Sequence, residues 1–172
     1  MRAHIVLIGC GNVGMSYLEK IVFQPNLSLT ISIIDNDENK VEGEILDLEQ
    51  GLSLFSNHTI LRKGSYQDIE SADLVVITAG KSQTSKDRMA DLPEANQIIS
   101  DIAKEMEPYK YNGIILVASN PLDVIVELVI HYLDYPKEKV IGTGCMLDTA
   151  RLKTILGKKL KVNSQDLSIY VL

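Results

Sequence analysis

Three glycines and one aspartate carry the first chemistry in this sequence. Gly9, Gly11 and Gly14 stand in G-x-G-x-x-G spacing within GCGNVG, and Asp35 follows 21 residues after Gly14. The first glycine of such a run permits a tight turn, the second lets the backbone approach a pyrophosphate, and the third lets a helix pack closely on a strand. Asn12 and Val13 open that helix, whose free N–H groups can hold the anion. Asp35 would accept hydrogen bonds from ribose hydroxyls and repel a 2′-phosphate, and no arginine follows it in DNDENK. The pattern predicts a dinucleotide, and NAD rather than NADP.

Four further polar stretches fall where strands end: TAG (78–80, with Ala79 and Gly80), KSQTSKDR (81–88), SNP (119–121) and LDTAR (147–151). Arg88 sits among Gly, Ser and Thr, the composition of a mobile lid. Asp148 and Arg151 are three residues apart, so both point to one face of a helix. By spacing alone they are an ordinary ion pair or a functional one.

The elements that must position these residues alternate along the chain. HIVLIG (4–9), LTISIID (29–35), TILRKG, DLVVITAG, GIILVAS and KVIGTG are short apolar runs rich in β-branched residues. Between them lie helical patterns. One begins at Asn12 with Val13, Tyr17, Leu18 and Ile21 on one face. The next is capped by Asp37, with Val41, Ile45 and Leu48 at helical spacing. YQDIESA reads as a short helix or turn. A helix over 92–107 is entered at Pro93, another follows Pro121, and LDTARLKTILGKKL forms the last. Near-continuous apolar strands alternating with helices predict an α/β fold, a doubly wound parallel six-stranded sheet of Rossmann type in a single domain. The reading gives 1–160 to that domain. It gives 161–172 to the start of a further substrate and catalytic domain that is otherwise missing.

The totals exclude several classes. A net charge of −6 argues against a nucleic-acid partner. No apolar run approaches the ~20 residues that span a bilayer, and no signal-peptide pattern opens the chain. Cys10 and Cys145 are too few for a disulfide framework and read as small buried residues of a reducing cytoplasm. GKKLK reads as a solvated helix end suited to the dipole.

The motifs GCGNVG, Asp35, DLEQG (47–51), VVITAG, DRMADL, VASNPLDVI and VIGTGCMLDTARL together resemble the NAD-dependent L-lactate/malate dehydrogenase family, along essentially the whole chain. DRMADL also resembles the L-2-hydroxyisocaproate dehydrogenases. The resemblance implies hydride transfer between NADH and a 2-oxo acid. It implies that Arg88 is the lid arginine that polarises the substrate carbonyl. It implies that Arg151 clamps the substrate carboxylate and that Asp148 orients a catalytic histidine. Asn120 then contacts nicotinamide and substrate, and Asn96 belongs to the cofactor set. Gln83 stands where malate-type members carry arginine, so a monocarboxylate such as pyruvate is favoured. The interval from Gly80 to Arg88 is one residue shorter than the family's, and an ungapped alignment puts Met89 at the arginine's place.

The reaction also needs a proton donor, and a histidine suits it. The resemblance places that histidine in a GEHG-like motif just after Leu172. His4, His58 and His131 read as structural or surface residues. The tail SIYVL reads as a strand whose partners lie in the missing half. The expectation is therefore the cofactor half of a cytoplasmic enzyme, inactive alone, whose complete form is a dimer or tetramer. The alternatives are a malate- or hydroxyisocaproate-type enzyme, a non-catalytic NAD-binding regulatory module, and a piece active only with a second chain.

Overall fold

The computed structural model describes residues 2–80 and 91–172. Two compact units divide the chain, Met1–Gly142 and Thr143–Leu172. The last helix of the chain packs against the turn that follows it.

In the first unit, β1 (Ala3–Ile8), β2 (Leu29–Ile34), β3 (Ile60–Lys63), β4 (Leu74–Ile77), β5 (Ile114–Val117) and β6 (Val140–Gly142) form one sheet in the order β3-β2-β1-β4-β5-β6. Every pairing is parallel, as continuous apolar strands require when both faces are covered. Side chains alternate along β1. Ile5 and Leu7 join one core with Leu18, Val22, Ile31 and Ile33, whereas Val6 and Ile8 join the other with Val75, Ile77, Ile115 and Val117. Each such side chain fully buried contributes about 1.5–3 kcal/mol.

The helices follow the predicted order: α1 (Asn12–Val22), α2 (Glu38–Leu52), α3 (Leu92–Met106) and α4 (Leu122–Leu133). Asp37 caps α2, accepting from Lys40 N at 3.1 Å. YQDIESA is a 3-10 turn over Tyr66–Ser71. The buried stripe of α1 is Gly14, Leu18 and Val22. It is not led by Val13, which is 53% exposed. The close approach of the helix at Gly14 rotates Val13 outward.

The chain passes from β3 back across β1 to β4, so the sheet's direction of growth reverses between β1 and β4. Ligands of open parallel sheets bind at the C-terminal ends of the strands flanking such a reversal. The glycine turn after β1 and Thr78 after β4 both lie there.

In the second unit, α5 (Met146–Leu160) ends at Lys161 in the left-handed conformation. A Cβ on Gly157 would sit 3.1 Å from Val162 O, so the chain folds back tightly on the helix. The tail SIYVL pairs with no strand among the described residues. Val171 N instead donates to Thr149 Oγ1 at 3.0 Å, and Lys153 lies over the Tyr170 ring. Cys10 is buried as expected, but Cys145, at the N-cap of α5, is exposed. Among the described residues no helix is long and apolar enough to cross a membrane.

Candidate functional site

The three glycines of the first turn meet three different surroundings. Gly9 has φ +100°, and a Cβ there would lie 2.6 Å from Ala79 N. Only glycine fits. A Cβ on Gly14 would come within 2.8 Å of Thr78 Oγ1 and closer still to the Gly9 carbonyl. Gly11 has nothing within 4 Å of its Cβ position. Two glycines therefore close the turn against β4 and α1, and the middle one faces open space.

That space is a groove of about 970 Å³. Gly9, Gly11, Asn12, Val13, Asp35, Ala79, Gly80 and Asn120 line it, together with Thr78, Ser119, Tyr66, Lys40 and the α3 residues Ala95 and Ile98. The start of α1 opens onto the groove. Gly11 at its N-cap has no side chain, and no acid stands in the first turn. The orphan N–H groups of that turn are available to an anion. By contrast α2 is closed by its own Asp37. An open cap, a glycine without a neighbour and an acid at the end of β2 fit a dinucleotide.

Asp35 accepts Cys10 N–H on Oδ2 at 2.8 Å and Asp37 N–H on Oδ1 at 3.0 Å. Burial pushes its carboxyl up, but these donors outweigh burial and hold it below the usual carboxylate range. The Cys10 thiol is a third donor to this carboxylate, which keeps a remaining lone pair for a ribose hydroxyl. The Cys10 thiol is pushed up to about 11, by burial first and then by Asp35. Tyr66 is pushed up to about 12, by burial and then by Glu105 and Asp35.

Two hydroxyls missed by sequence reasoning hold the groove floor. Thr78 Oγ1 donates to Gly9 O at 2.6 Å, and Ser119 Oγ donates to Ala79 O at 2.7 Å. Both lie in stretches picked out at strand ends, but their acceptors are far away in sequence. Tyr66 and Lys40 were also missed. Their only signal is their place just after a strand end and in the first turn of α2.

Asn96, expected in the cofactor set, does not line the groove. Its Oδ1 accepts from Tyr132 Oη at 3.0 Å, because its position on α3 faces α4. Asn120 lies in the groove wall. Asp148 and Arg151 belong to the second unit, where Arg151 Nη1 donates to Asp148 Oδ1 at 3.0 Å with both side chains well exposed. Gln83 and Arg88 lie outside the described residues.

Sheet order, glycine turn and the acid ending β2 define a dinucleotide-binding α/β domain of the Rossmann type. Residues 3–142 match the family described as lactate/malate dehydrogenase, NAD binding domain. The chain belongs to that family. It is 36% identical over 172 residues to an L-lactate dehydrogenase of Borrelia hermsii, covering 99% of this chain and 54% of that protein. It is 38% identical over 176 residues to L-lactate dehydrogenase 2 of Clostridium acetobutylicum, covering 100% and 55% respectively. The crystal structure of a minor L-lactate dehydrogenase from Enterococcus mundtii, in its ligands-bound form, superposes with a TM-score of 0.91 at 31% identity, covering 99% of this chain and 55% of that one. The chain spans about half the length of the relatives it matches, and its cofactor is NAD.

Proposed function

We propose that this chain is the NADH-holding half of an NAD-dependent L-2-hydroxyacid dehydrogenase, with pyruvate and L-lactate as the substrate pair. The observation that carries the reading is the division of labour among the glycines: Gly9 and Gly14 are walled in, and Gly11 alone opens to the groove. The N–H groups at Asn12 and Val13 hold the pyrophosphate, and Asp35 holds the adenosine ribose. Ala79, Gly80 and Asn120 form the wall toward the nicotinamide. When bound, that ring supplies or takes the hydride exchanged with the substrate's carbonyl carbon.

The remaining jobs belong to the substrate. Arg151 clamps its carboxylate with a guanidinium fork. Asp148 orients the proton-donating histidine and stabilises its cationic form. Arg88 polarises the carbonyl, and Gln83, being neutral, favours a monocarboxylate. The proton donor comes from outside these 172 residues. His4 is buried at the start of β1, and His58 and His131 are exposed in a loop and on α4. The complete enzyme is a cytoplasmic homo-oligomer using the helix that carries DLEQG. Leu46 on that helix is 57% exposed.

A fluorescence titration of NADH tests the reading, and the chain has no tryptophan to interfere. Saturable NADH binding is expected, with NADPH ~10-fold weaker or worse because its 2′-phosphate meets the Asp35 carboxylate. Pyruvate turnover by this chain alone should be negligible. Equal affinity for both nucleotides, or affinity for neither, would overturn the proposal.

A further inference from the structure

The 3-10 turn Tyr66–Ser71 is tied to the sheet by a chain of polar side chains that begins and ends on the same residue. His4 on β1, Ser32 on β2 and Arg62 on β3 lie on the sheet face that this turn covers. Arg62 Nε donates to Ser32 Oγ at 3.0 Å, and Ser32 Oγ meets His4 Nε2 at 3.0 Å. His4 Nδ1 meets Ser71 Oγ at 3.0 Å, and Ser71 Oγ donates to Asp68 O at 3.3 Å. Arg62 Nη2 closes the ring on Asp68 Oδ1. The other Asp68 oxygen accepts Ser65 N–H at 2.8 Å, and His4 N–H donates to Asp73 Oδ2 at 2.8 Å.

The ends of this chain fix its direction. Arg62 can only donate, and the Asp68 carbonyl can only accept. Ser32 accepts from Arg62, and His4 Nε2 is the acceptor the structure offers its hydroxyl proton. Ser71 gives its proton to Asp68 O, so it accepts from His4 Nδ1. His4 is buried. Every hydroxyl of the ring finds an acceptor when the imidazole proton sits on Nδ1 and Nε2 accepts.

We infer that His4 is a positioning residue for the adenosine end of the groove, acting as the Nδ1–H link that holds the Tyr66–Ser71 turn on the sheet. Tyr66, the first residue of that turn, lines the groove beside Asp35. The role rests on the cofactor reading above, whereas the tautomer does not. Breaking the ring frees the wall that Tyr66 presents, without touching any residue that lines the groove.

The test has two arms on the 172-residue chain. Long-range proton–nitrogen correlation spectra of the imidazoles at pH 7.5 should show His4 protonated at Nδ1 and unprotonated at Nε2, with exposed His58 and His131 as references. An Nε2–H tautomer at His4 overturns the ring whether or not the chain binds NADH. Ser32→Ala and Ser71→Ala each remove one link. Each should shift the Tyr66 ring resonances and weaken both NADH and ADP-ribose about fivefold, the size of one hydrogen bond's net contribution. If Ser32→Ala does not fold, Ser71→Ala breaks the same ring from a more exposed position. Unchanged affinity for both ligands in a folded variant overturns the positioning role. Failure of the unaltered chain to bind NADH at all removes the cofactor reading instead, and leaves the tautomer result standing.

Discussion

The backbone N–H of Cys10 donates to Asp35 Oδ2 at 2.8 Å, so the acid at the end of β2 braces the glycine turn at the end of β1. Its other oxygen braces the entry to α2 through Asp37 N–H. One carboxylate thus positions the loop under a pyrophosphate and keeps a remaining lone pair to read a ribose. Selectivity and preorganisation share a residue, and a change made for one disturbs the other.

Asp35→Ala should therefore cost more than a ribose contact. Loss of a charged acceptor from two backbone donors is worth about 1.5–3 kcal/mol of stability. NADH affinity should fall, and NADPH affinity should not rise to the level that NADH had. Chemical denaturation and paired titrations measure both. A clean switch to NADPH with unchanged stability contradicts the bracing role.

The Asp35 carboxyl lies below its usual range in the folded chain. A depressed folded-state pKa gives stability that is present above the unfolded value, about 3.9, and is lost as pH falls through the folded value. Unfolding free energy should decline on acidification through that window, and Asp35→Asn should remove part of the decline. Denaturant midpoints between pH 6 and pH 3 for the two chains supply the comparison.

The glycines should separate binding from folding. Gly9→Ala forces a side chain onto φ +100° and into the β4 backbone, and Gly14→Ala drives one into the Gly9 carbonyl. Each should lose about 1–3 kcal/mol. Gly11→Ala meets nothing in the protein, so its stability should stay within about 0.5 kcal/mol. Its NADH affinity should nevertheless fall at least ~10-fold, because the added methyl stands where the ligand must approach. Equal thermal shifts for all three variants would contradict this division.

The two thiols should react in two phases. Cys145 is exposed, whereas Cys10 is buried with its thiol pushed up to about 11. The thiolate is the nucleophile, so Cys10 is both shielded and protonated at pH 8. An aromatic disulfide reagent should titrate one equivalent quickly and the second only in denaturant. Two fast equivalents in the native chain would show that the glycine turn opens readily.

Much of this fold was legible because its signals are local. Apolar runs such as LVVI and IILV fix parallel strands, and G-x-G-x-x-G with Asp35 fixes the ligand edge. What the sequence concealed depends on contacts between distant elements. Thr78 meets Gly9 only because β4 lies beside β1, and His4 meets Ser32 only across paired strands and Ser71 only because the 3-10 turn lies over β1. Val13 reads by helical position as part of the packed face of α1, but the close approach at Gly14 turns it outward, and Asn96 meets Tyr132 only because α3 lies beside α4. SIYVL has the composition of a strand but no strand beside it in this chain, so it stays unpaired.

Asp148 and Arg151 allow the sharpest separation of stability from chemistry. Their ion pair is an i,i+3 contact with both side chains about 60% exposed, a setting in which such pairs contribute about 0–1 kcal/mol. Arg151→Ala in this chain should leave the melting temperature and NADH affinity nearly unchanged. Fused to the C-terminal half of a relative, the same variant should lose ~10²-fold or more in kcat/KM for pyruvate, since a fork that holds a carboxylate in two bonds is gone. Arg151→Lys should recover little of that loss, because an ammonium keeps the charge but not the paired geometry. If alanine instead unfolds the chain, the pair is structural. If lysine restores full activity, Arg151 supplies charge alone and does not grip the substrate in two bonds.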